Sequence, residues 1–406
     1  MNAHRSAGAL IASTVVLAVF GASRSRADDP PARARPIEVL EKAWPDHPEW
    51  LAMLVDILDG SQLGPEDGWF RKAVSQTRFT WDATRSAFDK DGDGGISRAE
   101  FGANDGDFAR LDRDRDGSLT APDFDFSPHA LSPSPGASLF YRVDADGNGK
   151  VTKEEFDRLF RSLDDGDLGF LSQDELRRYF APPPPRPRSL TSRPSGPSKA
   201  TLLKGLWRHE IGSHLPGPRV NDPAPDFTLR TVDGKEEVTL SKLIGPKPVV
   251  LVFGNFTCGP FRSQAGNVEK LSRRYKDRAT FIMVYVREAH PTDGWQMESN
   301  DRVGVSFRQP RNYEEKVEIA RTCGKSLDLG FPMLVDTIQD TVGLVYSGMP
   351  GRLYLIDRDG KVACKSGRGP FGFKPAELEQ SLVVLLRRSE QDEAGKATAD
   401  QAKPTR

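Results

Sequence analysis

The chain has 406 residues, of which 57 are basic and 58 are acidic, so its formal net charge is −1. With this balance we expect no nucleic-acid partner, and a 37% apolar content is enough for ordinary hydrophobic cores. The length argues against a single compact domain and predicts two or three.

The acidic residues are concentrated in one segment. Residues 82–180 hold 22 Asp and Glu against 13 Lys and Arg, as cation binding would require. The three cysteines (Cys258, Cys323 and Cys364) are too few and too far apart for a disulfide framework or a zinc site. At least one thiol is therefore unpaired.

Residues 1–27 have the features of a secretory signal peptide. A basic start precedes an apolar stretch over 7–22, and small residues occupy the −3 and −1 positions of a cleavage site after Ala27. The alternative is an uncleaved N-terminal membrane anchor, although the apolar stretch falls just short of the ~20 residues of a comfortable span. Either way, we expect the body of the protein to be exported, to the periplasm, the cell surface or the medium.

A twelve-residue unit recurs at 89–100, 112–123 and 144–155. Each copy has oxygen-bearing side chains at positions 1, 3, 5, 9 and 12 and glycine at position 6, which is the EF-hand pattern. Calcium takes six to eight oxygen ligands, and the glycine permits the sharp turn of the loop. The predicted Ca²⁺ ligands are Asp89, Asp91, Asp93, Ser97 and Glu100, then Asp112, Asp114, Asp116, Thr120 and Asp123, and finally Asp144, Asp146, Asn148, Thr152 and Glu155.

Two of the loops depart from this pattern. The second closes with Asp123, a shorter side chain that should bind more weakly, and a fourth unit over 164–175 has Gly166 and Leu168 where oxygen is needed. We expect loop one to pair with loop two and loop three with the degenerate loop four, in an all-α EF-hand domain over 37–180. Exported calcium modules commonly bind weakly and stay filled, so a structural role is favoured over switching. An acidic surface without metal is the alternative.

A proline-rich linker over 181–200 separates this domain from a second one over 201–388. There, buried strands alternate with helices, which predicts an α/β domain with a mixed central sheet. The final segment, 389–406, is charged and lacks aromatic residues, so we expect it to be disordered.

Cys258 lies between an apolar, β-branched run over 248–253 and a helical pattern over 262–276. Helical N–H groups at such a turn favour the reactive thiolate. If a crossover helix joins 248–253 to a second strand over 279–286, the two strands are parallel and their carboxyl ends share one sheet edge. Glu288 and His290 would then lie near the thiol, and His290 could shuttle protons at neutral pH.

Three separate stretches resemble the iodothyronine deiodinase family. Residues 253–261 (FGNFTCGPF) are similar to its active-site stretch, where selenocysteine stands at the position of Cys258. Residues 288–295 (EAHPTDGW) and 350–356 (PGRLYLI) resemble two further motifs, and the resemblance covers roughly 220–387. It implies a thioredoxin-like fold and a reductive removal of iodine from an aromatic substrate such as thyroxine.

The resemblance also implies residue roles. Cys258 would be the nucleophile that attacks iodine, with Thr257 as its hydrogen-bonding neighbour. Glu288 and His290 would handle protons, Arg352 would hold the carboxylate of the substrate, and an external thiol would act as reductant and electron donor.

The sequence departs from the family in three places. Sulfur replaces selenium, Phe256 stands where a cysteine is often found, and the second histidine of the family falls near Gln309-Pro310. Cys323 and Cys364 are candidates for resolving an oxidised Cys258, although a buried structural role is favoured for both. Two alternative functions stay open: a peroxiredoxin-like thiol peroxidase or reductase, and a non-catalytic, calcium-stabilised interaction protein.

Overall fold

The computed structural model describes residues 36–43, 49–61, 74–102, 104–126, 135–180 and 197–401. The predicted signal peptide and most of the predicted linker lie outside these residues. Within them, no helix combines the length and the apolar character that a membrane crossing requires.

The first half of the chain is built from short helices around the calcium loops. In the first and third loops, position 9 is the N-cap of the next helix and position 12 is its N3 residue. Ser97 and Glu100 therefore form a capping box, as do Thr152 and Glu155. The elements are α1 (Pro36–Ala43), α2 (Glu49–Asp59), β1 (Gln76–Thr77), α3 (Trp81–Phe88), β2 (Ile96–Ser97), α4 (Arg98–Phe101), α5 (Asp105–Leu111), β3 (Ser118–Leu119), α6 (Pro135–Val143), α7 (Lys153–Leu163) and α8 (Gln173–Phe180).

The second half alternates strands and helices, as the sequence predicts. Its central strand, 249–254, is apolar up to its closing glycine and buried along its whole length, which is typical of a strand covered on both faces. The elements are α9 (Lys199–Trp207), β4 (Thr228–Thr231), β5 (Glu237–Thr239), β6 (Val249–Gly254), α10 (Gly259–Tyr275), β7 (Thr280–Tyr285), α11 (Glu298–Arg302), α12 (Tyr313–Leu327), β8 (Met333–Val335), α13 (Thr341–Val345), β9 (Arg352–Ile356), β10 (Val362–Lys365) and α14 (Pro375–Gln401).

The main sheet of the described residues is mixed, with the strand order β1-β10-β9-β6-β7-β8-β4-β5. Strands β6, β7 and β8 are parallel, and β9 runs antiparallel to β6. In the β6–β7 register, Gly254 lies opposite Tyr285, so the two strands end at the same edge of the sheet. With α10 as the crossover between β6 and β7 and α14 after the β9–β10 hairpin, this is a thioredoxin-like arrangement.

The calcium-loop half and the sheet half share one hydrophobic core. Strand β1 pairs with β10, with Gln76 opposite Lys365. Phe88, Phe101 and Phe108 are fully buried in the same apolar cluster as the sheet and α14. Arg387 of α14 also donates a 2.6 Å hydrogen bond to the carbonyl of Phe101. The two halves that the sequence separates by a linker are therefore packed directly on each other.

Helix α14 continues to Gln401, well into the segment from 389 onward for which the sequence predicts disorder. Its side with Leu378, Leu382 and Leu386 is buried in the shared core. Arg388 also donates to the carbonyl of Ala83 in α3, at 2.5 Å. Packing against the calcium-loop half thus stabilises a segment whose own composition is polar and charged.

Because the core is shared, Phe101→Ala should destabilise the whole chain, by about 3–5 kcal/mol. We expect a single urea transition, with far-UV circular dichroism and tryptophan fluorescence changing together. Phe170→Ala is the matched control, since Phe170 is 60% exposed and should change stability by less than ~0.5 kcal/mol. Two separate transitions, with only one of them moved by Phe101→Ala, would contradict a common core.

Candidate functional site: calcium loops and a buried thiol

Each of the first three loops brings three carboxylates together. In every group the possible ligand atoms lie within 4.8 Å of one another, as one small cation requires. Carboxylate oxygens are the hard donors that calcium prefers, so the donor set fits this metal. The groups are Asp89, Asp91 and Glu100; Asp112, Asp114 and Asp123; and Asp144, Asp146 and Glu155.

The remaining predicted ligands shape the loops through hydrogen bonds. At position 5, Asp93, Asp116 and Asn148 each accept a bond from the backbone N–H two residues further on. At position 9, Ser97, Thr120 and Thr152 donate to the closing carboxylate at 2.8–3.2 Å. Nine of the predicted ligands are therefore grouped around three possible cation positions, and the other six form hydrogen bonds within the same loops.

Loop one pairs with loop two, as predicted, through Ile96 opposite Leu119. The fourth loop keeps its shape without the ligands: Asp164 accepts from the backbone N–H groups of Leu168 and Gly169. Because Gly166 and Leu168 supply no side-chain oxygen at positions 3 and 5, this loop has the form of an EF-hand without the donor set.

Cys258 is the N-cap of α10, directly beyond the end of β6. Its side chain is only 2% exposed, and this burial raises the pKa of the thiol to about 11. The backbone N–H of Phe261 and the guanidinium of Arg262 act in the opposite direction but do not outweigh the loss of water. The expectation of a thiolate favoured by the helix terminus is therefore wrong for this closed state.

Glu288 lies at the centre of a buried hydrogen-bond network beside the thiol. Its carboxylate accepts bonds from the hydroxyl of Tyr285 and from both the hydroxyl and the backbone N–H of Thr257, the latter two at 2.7 and 2.9 Å. Glu288 is fully buried, and this burial raises its pKa in spite of these donors. A carboxyl group in this state can hold and release a proton close to Cys258.

The loop that carries Glu288 is held from both sides. The amide of Gln309 accepts from the backbone N–H of Glu288 at 2.9 Å and donates to its carbonyl at 3.1 Å. The backbone N–H of His290 donates to the hydroxyl of Thr257 at 3.0 Å. Gln309, at the position where the sequence leaves the role of a second histidine unfilled, therefore fixes the Glu288 backbone.

His290 is half-buried and packs edge-on against Trp295, with ring centroids 4.7 Å apart. Its Nδ1 lies 3.0 Å from the carbonyl oxygen of Trp295, which assigns the ring proton to Nδ1. Burial lowers the pKa of His290 to about 4. The imidazole is therefore neutral at pH 7, and the expectation that it exchanges charge at neutral pH is wrong for this closed state.

Sequence reasoning missed Arg262 and Asn300, which join the thiol to its surroundings. Buried Arg262 donates to the carbonyl of Phe256 at 2.5 Å and to the side chain of Asn300 at 2.8 Å. Asn300 in turn donates to the carbonyl of Thr257 at 2.8 Å. Only the position of Arg262 one turn after Cys258 could have suggested this role, because helix residues three or four apart are neighbours.

Arg352 is fully buried, and its partner is Glu49 of α2. Its Nη2 lies 3.1 Å from both carboxylate oxygens of Glu49, while Arg368 donates to the same carboxylate at 2.8 Å. Burial raises the pKa of Glu49, but Arg352, Arg368 and Lys365 outweigh it and lower the pKa to about 2. In this structure, Arg352 therefore binds the carboxylate of Glu49, whereas the sequence resemblance implies that it binds the carboxylate of a substrate.

The other two cysteines are buried as well. Cys323 in α12 is 0% exposed and Cys364 in β10 is 1% exposed, and burial raises the pKa of both. Glu288 and Arg262 both influence the pKa of Cys323, whereas Cys364 lies beside Thr77 and Ser381. Cys323 is thus the one that shares neighbours with Cys258.

Comparisons with known proteins agree with this geometry. Residues 200–385 match the model of the iodothyronine deiodinase family, and residues 86–103 and 137–160 match an EF-hand model. The C-terminal domain is therefore similar in sequence to the iodothyronine deiodinases.

Two curated relatives are named thyroxine 5-deiodinase. A thyroxine 5-deiodinase of Gallus gallus is 29% identical over 50% of this chain and 76% of that protein. The Homo sapiens thyroxine 5-deiodinase is also 29% identical, over 44% of this chain and 58% of its own length.

Solved structures are more distant. A putative protein disulfide isomerase from Bacteroides thetaiotaomicron is 25% identical, with a TM-score of 0.32 over 43% of this chain and 95% of that chain. A putative DsbE from Chlorobium tepidum is 24% identical, with a TM-score of 0.30 over 42% of this chain and 99% of that chain.

The site around His290 is closed in this structure. The cavity beside His290 has a volume of about 30 Å³ and is lined by residues that include Ile211, Trp295 and Pro350. That is room for about one or two water molecules. A larger open groove of about 1020 Å³ includes Thr280 at the opposite, amino end of β7, so it does not serve the thiol.

The buried thiol predicts an unusual pH profile for alkylation. Because burial raises the pKa of Cys258 to about 11, its reaction with iodoacetamide should keep accelerating far above pH 9. At pH 7.5 it should hold roughly two orders of magnitude less thiolate than an ordinary cysteine. Mass spectrometry of the Cys258 peptide measures the rate, with free cysteine as the reference. A midpoint near pH 8 would contradict a closed, dry thiol.

Glu49→Gln should destabilise the protein at pH 7, because it leaves the cations of Arg352 and Arg368 buried without a counter-charge. The pKa of Glu49 is lowered from 4.5 to about 2, which corresponds to about 3 kcal/mol. A lowered pKa stabilises the fold above pH 4.5, so the difference from wild type should shrink as the pH falls towards 2. Urea unfolding at several pH values measures it.

The matched control for this variant is Glu237→Gln. Glu237 pairs with Arg230, and both side chains are at least 60% exposed, so this change should cost less than ~0.5 kcal/mol. Equal losses in the two variants would mean that the Glu49 cluster contributes nothing beyond a surface ion pair.

Proposed function

We propose that this protein is a calcium-binding thiol oxidoreductase that removes iodine from an iodinated aromatic compound through Cys258. The observation that carries the proposal is the placement of Cys258 beside the Thr257–Glu288 network inside a deiodinase domain. The names of the relatives, thyroxine 5-deiodinases, suggest an iodinated aromatic substrate.

The proposed reaction proceeds through a sulfenyl iodide. The thiolate of Cys258 attacks the iodine, so an S–I bond forms while the C–I bond breaks and its electron pair stays on the aryl carbon. That carbon then takes a proton. A first external thiol displaces iodide to give a mixed disulfide, and a second thiol releases Cys258 and leaves as the oxidised disulfide. Per turnover, two thiols are oxidised, and one iodide and one proton are released.

The proton for the aryl carbon comes from the buried network. Glu288 has a raised pKa and receives hydrogen bonds from Tyr285 and Thr257, so a proton can move along this chain of oxygens. His290 then acts as a neutral ring whose position is set by Trp295. Removal of its side chain should slow the reaction and leave the number of thiols unchanged.

Substrate binding requires the site to open. The 30 Å³ cavity beside His290 is far smaller than an iodinated aromatic ring, and Cys258 is almost fully buried. Opening would return water to the sulfur and so lower the pKa of its thiol. A carboxylate on the substrate would have to replace Glu49 to reach Arg352.

The reductant is an external thiol. Cys323 and Cys364 are buried with raised pKa values, which makes both poor nucleophiles in the closed state. We also place the protein outside the cytoplasm, on the basis of the signal-like residues 1–27. In that compartment the three complete EF-hand loops would be filled with Ca²⁺ and support the fold.

The direct test is iodide release from an iodinated phenol by the full-length protein with excess dithiol and calcium. We expect release that Cys258→Ser abolishes, since serine cannot form the sulfenyl iodide. Cys364→Ser is the matched control, because Cys364 is equally buried but lies on β10 beside β1, and it should keep most of the activity.

A hydrogen peroxide consumption assay, run in parallel, separates the alternatives. Peroxide consumption that depends on Cys258, without iodide release, would replace the dehalogenase with a thiol peroxidase. If the protein shows neither activity and the thiol of Cys258 is unreactive with an ordinary pKa, the non-catalytic interaction protein would be favoured.

A further inference from the structure

The third calcium loop packs directly against the helix that begins at Cys258. Gly149 of the loop lies so close to α10 that a Cβ atom on it would be 2.0 Å from the carbonyl oxygen of Arg262. Conversely, a Cβ atom on Gly266 of α10 would be 2.2 Å from the carbonyl oxygen of Gly149. Only two glycines facing each other allow this backbone contact.

The same loop also contacts the ends of two further helices. Gly147 lies against Val303, just after α11, where an added Cβ would be 2.9 Å from the valine side chain. Lys150 forms a 2.9 Å ion pair with Asp328 at the end of α12. The loop therefore contacts α10, α11 and α12.

These contacts converge on Arg262. Its backbone carbonyl faces Gly149, and its guanidinium bonds to Phe256 and to Asn300 of α11. Burial lowers the pKa of Arg262, whereas the thiol of Cys258 and the predicted loop ligand Asp144 both act to raise it, so the guanidinium lies within electrostatic reach of both groups. Its position decides how much positive charge the sulfur experiences.

We propose that calcium in the third loop controls the reactivity of Cys258 by keeping Arg262 beside the thiol. The inference rests on the proposed role of Cys258 as the reactive nucleophile. Bound calcium would neutralise the carboxylates of Asp144, Asp146 and Glu155 and hold the loop rigid. Without it, three uncompensated carboxylates repel one another, loosen the loop and attract Arg262 away from the sulfur.

The first experiment follows Cys258 alkylation by iodoacetamide at one fixed pH, together with hydrogen exchange of the amides in 259–267, in the full-length protein. Calcium chelation should slow alkylation about tenfold, the effect of one unit of thiol pKa, and should speed up amide exchange. Glu155→Gln in excess calcium should reproduce both changes, because it removes the closing ligand of the third loop.

The matched control is Glu154→Gln, which makes the same chemical change at the preceding residue, an exposed side chain that is not a predicted calcium ligand. This variant should leave alkylation and exchange at wild-type values. Equal effects in the two variants, faster alkylation on chelation, or no effect of Glu155→Gln would overturn the proposal.

A second variant leaves the calcium ligands intact and disturbs only the contact. Gly266→Ala favours the helix itself but collides with Gly149, so it should give slow alkylation in calcium as well. It should also weaken calcium binding at the third loop, because the substitution disturbs the contact through which the loop and α10 are coupled. Gly324→Ala is the control, since its Cβ would meet only the end of the Met333 side chain at 3.4 Å.

These measurements use no halogenated substrate, so they are independent of the dehalogenation assay. Calcium-dependent alkylation without iodide release would overturn the proposed reaction and leave the coupling standing. Iodide release, together with Cys258 alkylation that does not depend on calcium, would overturn the coupling and leave the proposed reaction standing.

Discussion

The buried guanidinium of Arg262 connects three parts of the molecule that are far apart in the chain. The guanidinium donates hydrogen bonds to the carbonyl of Phe256, in the loop after β6, and to Asn300 of α11. The backbone carbonyl of the same residue lies against Gly149 of the third loop. A buried cation has few tolerable positions, because it must satisfy its donors with the partners at hand. The geometry around Cys258 is therefore set jointly by the sheet, by α11 and by a loop that carries three grouped carboxylates.

Much of the fold follows from local rules in the sequence. The three groups of carboxylates were predictable because they lie within twelve consecutive residues and their spacing encodes the geometry of the loop. The shared edge for Cys258, Glu288 and His290 was predictable because parallel strands joined by a crossover helix end on the same side. Neither inference needed any long-range contact beyond the strand pairing.

The sequence could not supply what depends on long-range packing. Glu49 and Arg352 are 303 positions apart, and no local sequence pattern in either segment indicates that they form an ion pair. Phe101 and Phe108 look like the ordinary core of EF-hand helices, yet they also cover α14. The prediction for the pKa of Cys258 was wrong for the same reason. The position at a helix terminus is a local property, whereas burial is a property of the whole fold and here has the larger effect on the pKa.

Strand β1 is only two residues long, but it closes one border of the main sheet. It pairs with β10 on the side away from β9, with Thr77 opposite Cys364. Without β1, the edge of β10 would expose free backbone donors and acceptors, which are a template for pairing with another chain. A C-terminal domain cut from this protein at its proline-rich segment would carry an open β10, so the EF-hand region also protects its neighbour against self-association.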